Sequence, residues 1–175
     1  MPTAMLFFPQ LLAAVILAGV ARADPPLPLI PSTIFNVTNY GAVGDGTTDN
    51  TTSIQNTINA ANAAGGGVVE IPPGTFLSGP ITLLSSINLR VDGSGILQML
   101  PLGRYPGGTS NALTFIGCNN VHDVEISGQG TINGQGAAWW TYYNTNKTIV
   151  RPMMLNLYSA NRLFIHDVTY QNPPN

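Results

Sequence analysis

Hydrophobic positions along this chain fall into three regimes. Leu11 to Val20 is an unbroken apolar run that ends at Ala21-Arg22-Ala23. Ile54, Ile58 and Ala61 then recur at i, i+4 and i+7, the spacing of one helical face, with Asp49 placed to cap the helix and Gly65-Gly66-Gly67 to end it. From Val68 onward the pattern changes to short β-branched and aromatic runs separated by Gly, Asn and Pro, such as Val68-Val69-Glu70-Ile71, Ile87 to Val91, Val124-Glu125-Ile126 and Leu163-Phe164-Ile165. The expectation is one helix followed by many short strands.

Self-comparison organises those strands. Ile87-x-Leu89 with Gly93-Ser94-Gly95-Ile96-Leu97 matches Val124-x-Ile126 with Gly128-Gln129-Gly130-Thr131-Ile132, and Leu163-x-Ile165 with Val168-Thr169-Tyr170 repeats it with the glycines lost. The first strands of these copies lie 37 and then 39 residues apart. A degenerate repeat of strand, tight turn and strand is the signature of a solenoid whose coils stack like upon like. The fold class expected is all-β, a right-handed parallel β-helix with the Asp49 to Ala64 helix capping its N-terminal end. Asn119, Asn120 and Asn161 precede successive strands, as turn residues tolerant of left-handed geometry do.

Three segments follow. Residues 1–23 read as a secretory signal peptide cleaved before Asp24, since the run is shorter than the roughly 20 apolar residues of a membrane span. Its n-region lacks Lys and Arg, which leaves an uncleaved anchor or leader as the competing reading. Residues 24–33 are a Pro-rich connector, and 34–175 the N-terminal part of a β-helix domain. An exported chain is expected outside the cell, with no membrane association after cleavage. The sequons at Asn36, Asn50 and Asn146 then become candidate glycosylation sites if the source is eukaryotic.

Composition narrows the chemistry. Six Lys and Arg stand against eight Asp and Glu, a net charge of -2, and charged residues are only 8% of the chain. That balance gives no electrostatic footprint for nucleic acid. The single cysteine, Cys118, excludes an internal disulfide, and with no Lys or Arg within ten residues of it, a packed thiol is expected rather than a reactive one.

Two stretches carry a family resemblance. Phe35 to Thr51, with Ile54-Gln55 and Gly65 to Phe76, resembles the N-terminal segment of pectin-active β-helix proteins. Ile126-Ser127-Gly128-Gln129-Gly130-Thr131-Ile132-Asn133-Gly134-Gln135-Gly136 with Trp139-Trp140, then Arg151-Pro152 and Gln171-Asn172-Pro173-Pro174, resembles the stretch before the active site of family 28 glycoside hydrolases, the polygalacturonases. The resemblance implies hydrolysis of α-1,4-galacturonosyl bonds in pectin, with polygalacturonate as the partner and no cofactor or metal. It also implies catalytic Asn-Thr-Asp, Asp-Asp, Gly-His-Gly and Arg-Ile-Lys motifs on later coils, none of which occurs in these 175 residues. No catalytic residue is therefore assigned, and the chain alone is expected to be inactive, a β-helix truncated before the catalytic coils. The alternative is a polysaccharide-binding, lyase-like or tailspike-like β-helix without hydrolase activity.

The remaining polar candidates have structural readings. Asp123 and Glu125 sit two apart, so on a strand they share one face, and with Val124 inward both are expected to point to water. His122 and His166 lack companions at ligand spacing and read as surface or turn residues. Asp45 and Asp49 fit turn and cap roles better than a calcium loop. Trp139 and Trp140, adjacent on an extended segment, would point to opposite faces, so at most one could stack on a sugar while the other fills the core. At the far end, Leu163-Phe164-Ile165 and Val168-Thr169-Tyr170 are expected to form an uncovered coil that favours self-association.

Overall fold

The computed structural model describes residues 25–175, so the expected signal segment lies outside the described residues. Its strands, in chain order, are β1 (Ile34–Asn36), β2 (Asp45–Asp49), β3 (Gly67–Ile71), β4 (Gly74–Ser78), β5 (Ile81–Thr82), β6 (Ile87–Val91), β7 (Gly95–Met99), β8 (Ile116–Ser127), β9 (Thr131–Asn133), β10 (Leu155–Ile165) and β11 (Thr169–Gln171). Every strand pairing is parallel. One sheet runs β1-β3-β6-β8-β10 with β5 beside β8, and the other runs β2-β4-β7-β9-β11. Apart from β5 and β6, successive strands alternate between two stacks, as the turns of a solenoid do.

Registers give the repeat its physical content. Val69 pairs with Leu89, Leu89 with Ile126, and Ile126 with Ile165, so one apolar column climbs the first sheet. Phe76, Leu97, Ile132 and Tyr170 form the matching column of the second. Ile87 faces Val124 and Val124 faces Leu163, the same residues that the self-comparison aligns. Within the columns Val69, Leu89, Ile126, Leu97 and Ile132 are fully buried.

Helix α1 (Thr51–Ala63) buries Ile54, Thr57, Ile58 and Ala61. Its start is anchored from both sides. Asp49 accepts the Thr51 N–H at 3.0 Å, and the Thr51 hydroxyl accepts the Gly79 N–H at 2.6 Å. Gly65 and Gly66, both at positive φ, end it as expected.

A second helix, α2 (Gly136–Thr145), corrects the expectation of a single helix and of an extended Trp139-Trp140 segment. On a helix, adjacent residues lie about 100° apart, not opposite. Trp139 is fully buried against Tyr105 in an edge-on contact, whereas Trp140 is 40% exposed. Trp140 donates its indole N–H to the Pro173 carbonyl at 2.8 Å, which ties the helix to the segment after β11.

The strand β10 is the outer member of its sheet among the described residues, and its Leu163 and Ile165 are 38% and 37% exposed. The same columns therefore contain fully buried and half-open positions of like chemistry. Leu89→Ala is expected to cost about 2–5 kcal/mol, as truncation in a packed core does. Ile165→Ala should cost clearly less, and urea unfolding of the two variants measures the difference.

Candidate functional site

The β8 and β10 strands, with the turn after β10, bring both histidines together with Asp123, Glu125, Arg162 and Asp167. Both are long because each turns corners without leaving the sheet. Asn120 and Asp123 in β8, and Ser159 and Arg162 in β10, all have positive φ between 53° and 57°. Asp123 and Arg162 occupy equivalent corners one coil apart.

That corner overturns the expectation for Asp123. A left-handed residue interrupts strand alternation, so Asp123 and Glu125 do not share a solvent face. The Asp123 side chain is only 4% exposed. It accepts a hydrogen bond from Arg162 Nε at 2.5 Å and a second from Arg162 Nη2. Leu29 N–H donates to it at 2.7 Å, and His122 Nδ1 lies 2.8 Å away. The Arg162 guanidinium, with the Leu29 amide and His122, holds its carboxyl well below the usual carboxylate range despite burial. A permanently ionised, fully engaged carboxylate cannot deliver a proton.

Glu125 does face outward. Its Oε1 accepts from Asn88 Nδ2 at 2.8 Å and lies 3.1 Å from His166 Nε2, while His166 Nδ1 lies 2.8 Å from Asp167 Oδ2. The buried Ser127 hydroxyl completes the chain by donating to Asn88 Oδ1 at 2.8 Å. Phe164 stacks on the His166 ring with centroids 4.4 Å apart. The Asp167 contact, aided by Glu125, raises the His166 pKa against the opposing effect of burial. His166 thus bridges two carboxylates that favour its protonated form, and its side chain is 32% exposed. His122 is 57% exposed, in keeping with a surface position.

Other candidates take structural places. Asp45 accepts the N–H groups of Thr47 and Thr48 at 2.8 Å, a turn role. Cys118 lies within β8, 5% exposed, and burial pushes its thiol pKa up, away from reactivity. The described residues contain no group of three or more His, Cys, Asp and Glu side chains able to hold a metal. Among the sequons, Asn50 is corrected: it is fully buried, and its amide donates to the Val43 and Thr48 carbonyls at 3.0 and 2.9 Å. No glycan fits there. Asn36 Nδ2 donates to Glu70 at 2.7 Å. Asn146 is exposed, and its Oδ1 accepts from the Thr148 N–H and hydroxyl at 3.1 and 2.7 Å.

Two open grooves flank α2, and neither was expected because the helix itself was not. One, of about 380 Å³, is lined by Gln98, Asn133, Gln135 and Asn172 among others; the second, of about 410 Å³, by Leu102, Thr141 and Tyr142 among others. Amides, a hydroxyl and an aromatic ring are the groups that bind sugars. Neither lining contains a carboxylate. Close by in sequence, Lys147 and Arg151 lie over the Tyr143 ring, 4.4 and 4.1 Å from its centroid. No Asp or Glu occurs from residue 126 to 166.

Residues 34–99 match the family described as rhamnogalacturonase A/epimerase, pectate lyase-like. The chain is 29% identical over 158 residues to a probable polygalacturonase of Vitis vinifera, covering 79% of this chain and 32% of that one. It is 30% identical over 148 residues to a probable polygalacturonase of Arabidopsis thaliana, covering 82% and 31%. A 69-residue stretch is 41% identical to a mannuronan C5-epimerase of Azotobacter vinelandii, covering 35% of this chain and 4% of the epimerase. In fold it is similar to an exopolygalacturonase of Thermotoga maritima, with a TM-score of 0.74 at 23% identity, over 86% of this chain and 44% of that one. This similarity supports the β-helix class expected from the repeat. The chain spans about a third of the length of the plant relatives.

The His166 bridge generates a pH-dependent stability. Because its folded pKa is raised, the stabilisation is complete below the ordinary histidine value of about 6.5 and lost as pH rises through the folded value. His166→Gln should therefore lower the urea midpoint more at pH 5.5 than at pH 9. An equal loss at both would show that the ring contributes only packing on Phe164.

Proposed function

We propose that this chain is the N-terminal portion of a secreted polygalacturonase-like glycoside hydrolase of family 28, acting on pectin outside the cell. The observation that carries the reading is 30% identity over 148 residues to a plant polygalacturonase, running through most of the coil stack. The surface around α2 supports it. Lys147 and Arg151, in a stretch without carboxylates, suit a polymer of acidic sugars, and the amide-lined groove offers donors for hydroxyl groups.

Hydrolysis with inversion needs a carboxylic acid at the leaving oxygen and a carboxylate some 6.5–9.5 Å away to activate water. Neither partner is free here. Asp123 is bound by Arg162 and Leu29, and Glu125 by Asn88 and His166. In this reading these residues build the scaffold, and the acid and base come from coils outside this sequence. The purified chain should release no reducing ends from polygalacturonate. Turnover abolished by Glu125→Gln would overturn the structural role given to that residue.

A second reading, an epimerase-like or lyase-like β-helix without hydrolysis, is favoured by the 69-residue epimerase match. The coding sequence downstream of Asn175 separates the two: Asn-Thr-Asp and Gly-His-Gly in frame support the hydrolase, and their absence supports the second reading.

Of the sequons, Asn146 is the one whose fold suits modification, since its side chain is exposed and no protein acceptor engages its amide nitrogen. On secretion from a eukaryotic host the mature chain should carry one glycan, lost in Asn146→Gln. Mass spectrometry that found occupancy at Asn50 in folded protein would contradict the burial of that side chain.

A further inference from the structure

Residues 25–33 run along the coil stack instead of around it. At one end the Thr33 carbonyl accepts the Val68 N–H at 2.8 Å, at the start of β3. Pro31 lies against Gly66, where its Cδ would be 2.9 Å from an added Cβ. Leu29 N–H donates to Asp123 on β8. Pro25, Pro26, Leu27 and Pro28 line a cavity of about 390 Å³ together with Leu163 and Phe164 of β10. From β1 to β10 there are four strand steps, about 19 Å at roughly 4.8 Å each. Nine extended residues reach about 30 Å, so the segment spans the stack without strain.

The path follows one corner. Gly66, Ser86, Asp123 and Arg162 have φ of 113°, 61°, 57° and 55°, each stacked one coil from the last. At this corner the Asp123 carboxylate receives donors from three elements: Leu29 of the segment, Arg162 of β10 and His122 of its own strand. The segment's composition suits the task. Pro25, Pro26, Pro28 and Pro31 cannot donate to a ladder, and they narrow the unfolded ensemble that ordering must restrict. Leu29 supplies the N–H that fastens it.

We propose that residues 25–33 form an axial strap, fastened at Asp123, that clamps the coils from β3 to β10 together. Ladder hydrogen bonds couple only adjacent coils, so a solenoid can fray one coil at a time. A strap joined to non-adjacent coils removes that freedom. It lies outside the matched family segment, which begins at Ile34.

Hydrogen exchange of the full chain, followed by mass spectrometry, tests this. The Leu29 amide should be protected, and Asp123→Ala should reduce that protection about tenfold or more and speed exchange in β10 before β6. Free exchange at Leu29 in the unaltered protein, or protection that survives Asp123→Ala, overturns the proposal. Should Asp123→Ala fail to fold, Leu29→Pro decides the matter, because it deletes the one N–H and leaves the Asp123–Arg162 pair in place. Thermolysin cleavage within 25–33 should then rise about tenfold while β6 amides keep their protection. Cleavage at the unaltered rate rules the strap out.

Discussion

Everything in this molecule depends on each coil returning the chain to the same place above the last. Parallel pairing in register is what lets Val69, Leu89, Ile126 and Ile165 form one column, and a slip by one residue would turn that column outward. The return is made at corners, where the backbone must leave the extended region. Ser86, Asp123 and Arg162 adopt left-handed φ there, a conformation that costs a residue with a side chain about 1–2 kcal/mol. Such a cost is borne three times over because the surrounding ladders fix the position. The corner is thus imposed by the stack, not chosen by its residues.

This explains which parts of the fold were legible in the sequence. Apolar columns write themselves as a repeat, so the pairing of Ile87 with Val124 and of Val124 with Leu163 could be read from spacing. The corner of Asn120 was legible too, since asparagine tolerates its φ of 55°, but the corner through Ser86, Asp123 and Arg162 was not, because those three residue types share no such propensity. Gly128 shows the contrast. A Cβ there would meet the Val91 carbonyl oxygen at 2.1 Å, and the equivalent residue one coil later is Asp167 at φ 60°. The glycine is required by the close approach, whereas the aspartate one coil later only tolerates the left-handed turn. Helix α2 was missed for a different reason: Trp139, Trp140, Tyr142 and Tyr143 look like strand residues, and only the burial of Trp139 against Tyr105 makes the helix worth forming.

The polar groups were legible in kind but not in place. Asp123 and Glu125 are two residues apart, yet one is buried at a corner and the other lies on the outer face. Adding the 39-residue repeat to Asp123 arrives at Arg162, so the ion pair was contained in the spacing that aligned the apolar columns. The same step carries Asn88 to Glu125 at a repeat of 37. In a solenoid, side-chain partners are found by moving one coil, not by moving along the strand.

That rule also sorts the charges. Glu70 pairs with Arg90, which reaches Asp92; Asp123 pairs with Arg162; and Glu125 and Asp167 hold His166. Carboxylates on β3 and β8, and in the turns that follow β6 and β10, are therefore used within or between coils. Among the described residues the cations over Tyr143 have no carboxylate side chain as partner, and they interact instead with a ring face, two asparagines and a backbone carbonyl. An ammonium or guanidinium satisfied in this way keeps its charge available to an anion in solution, while an ion pair does not. The stack uses Glu70, Asp123 and Glu125 for cohesion, while Lys147 and Arg151 stand over Tyr143 beside α2.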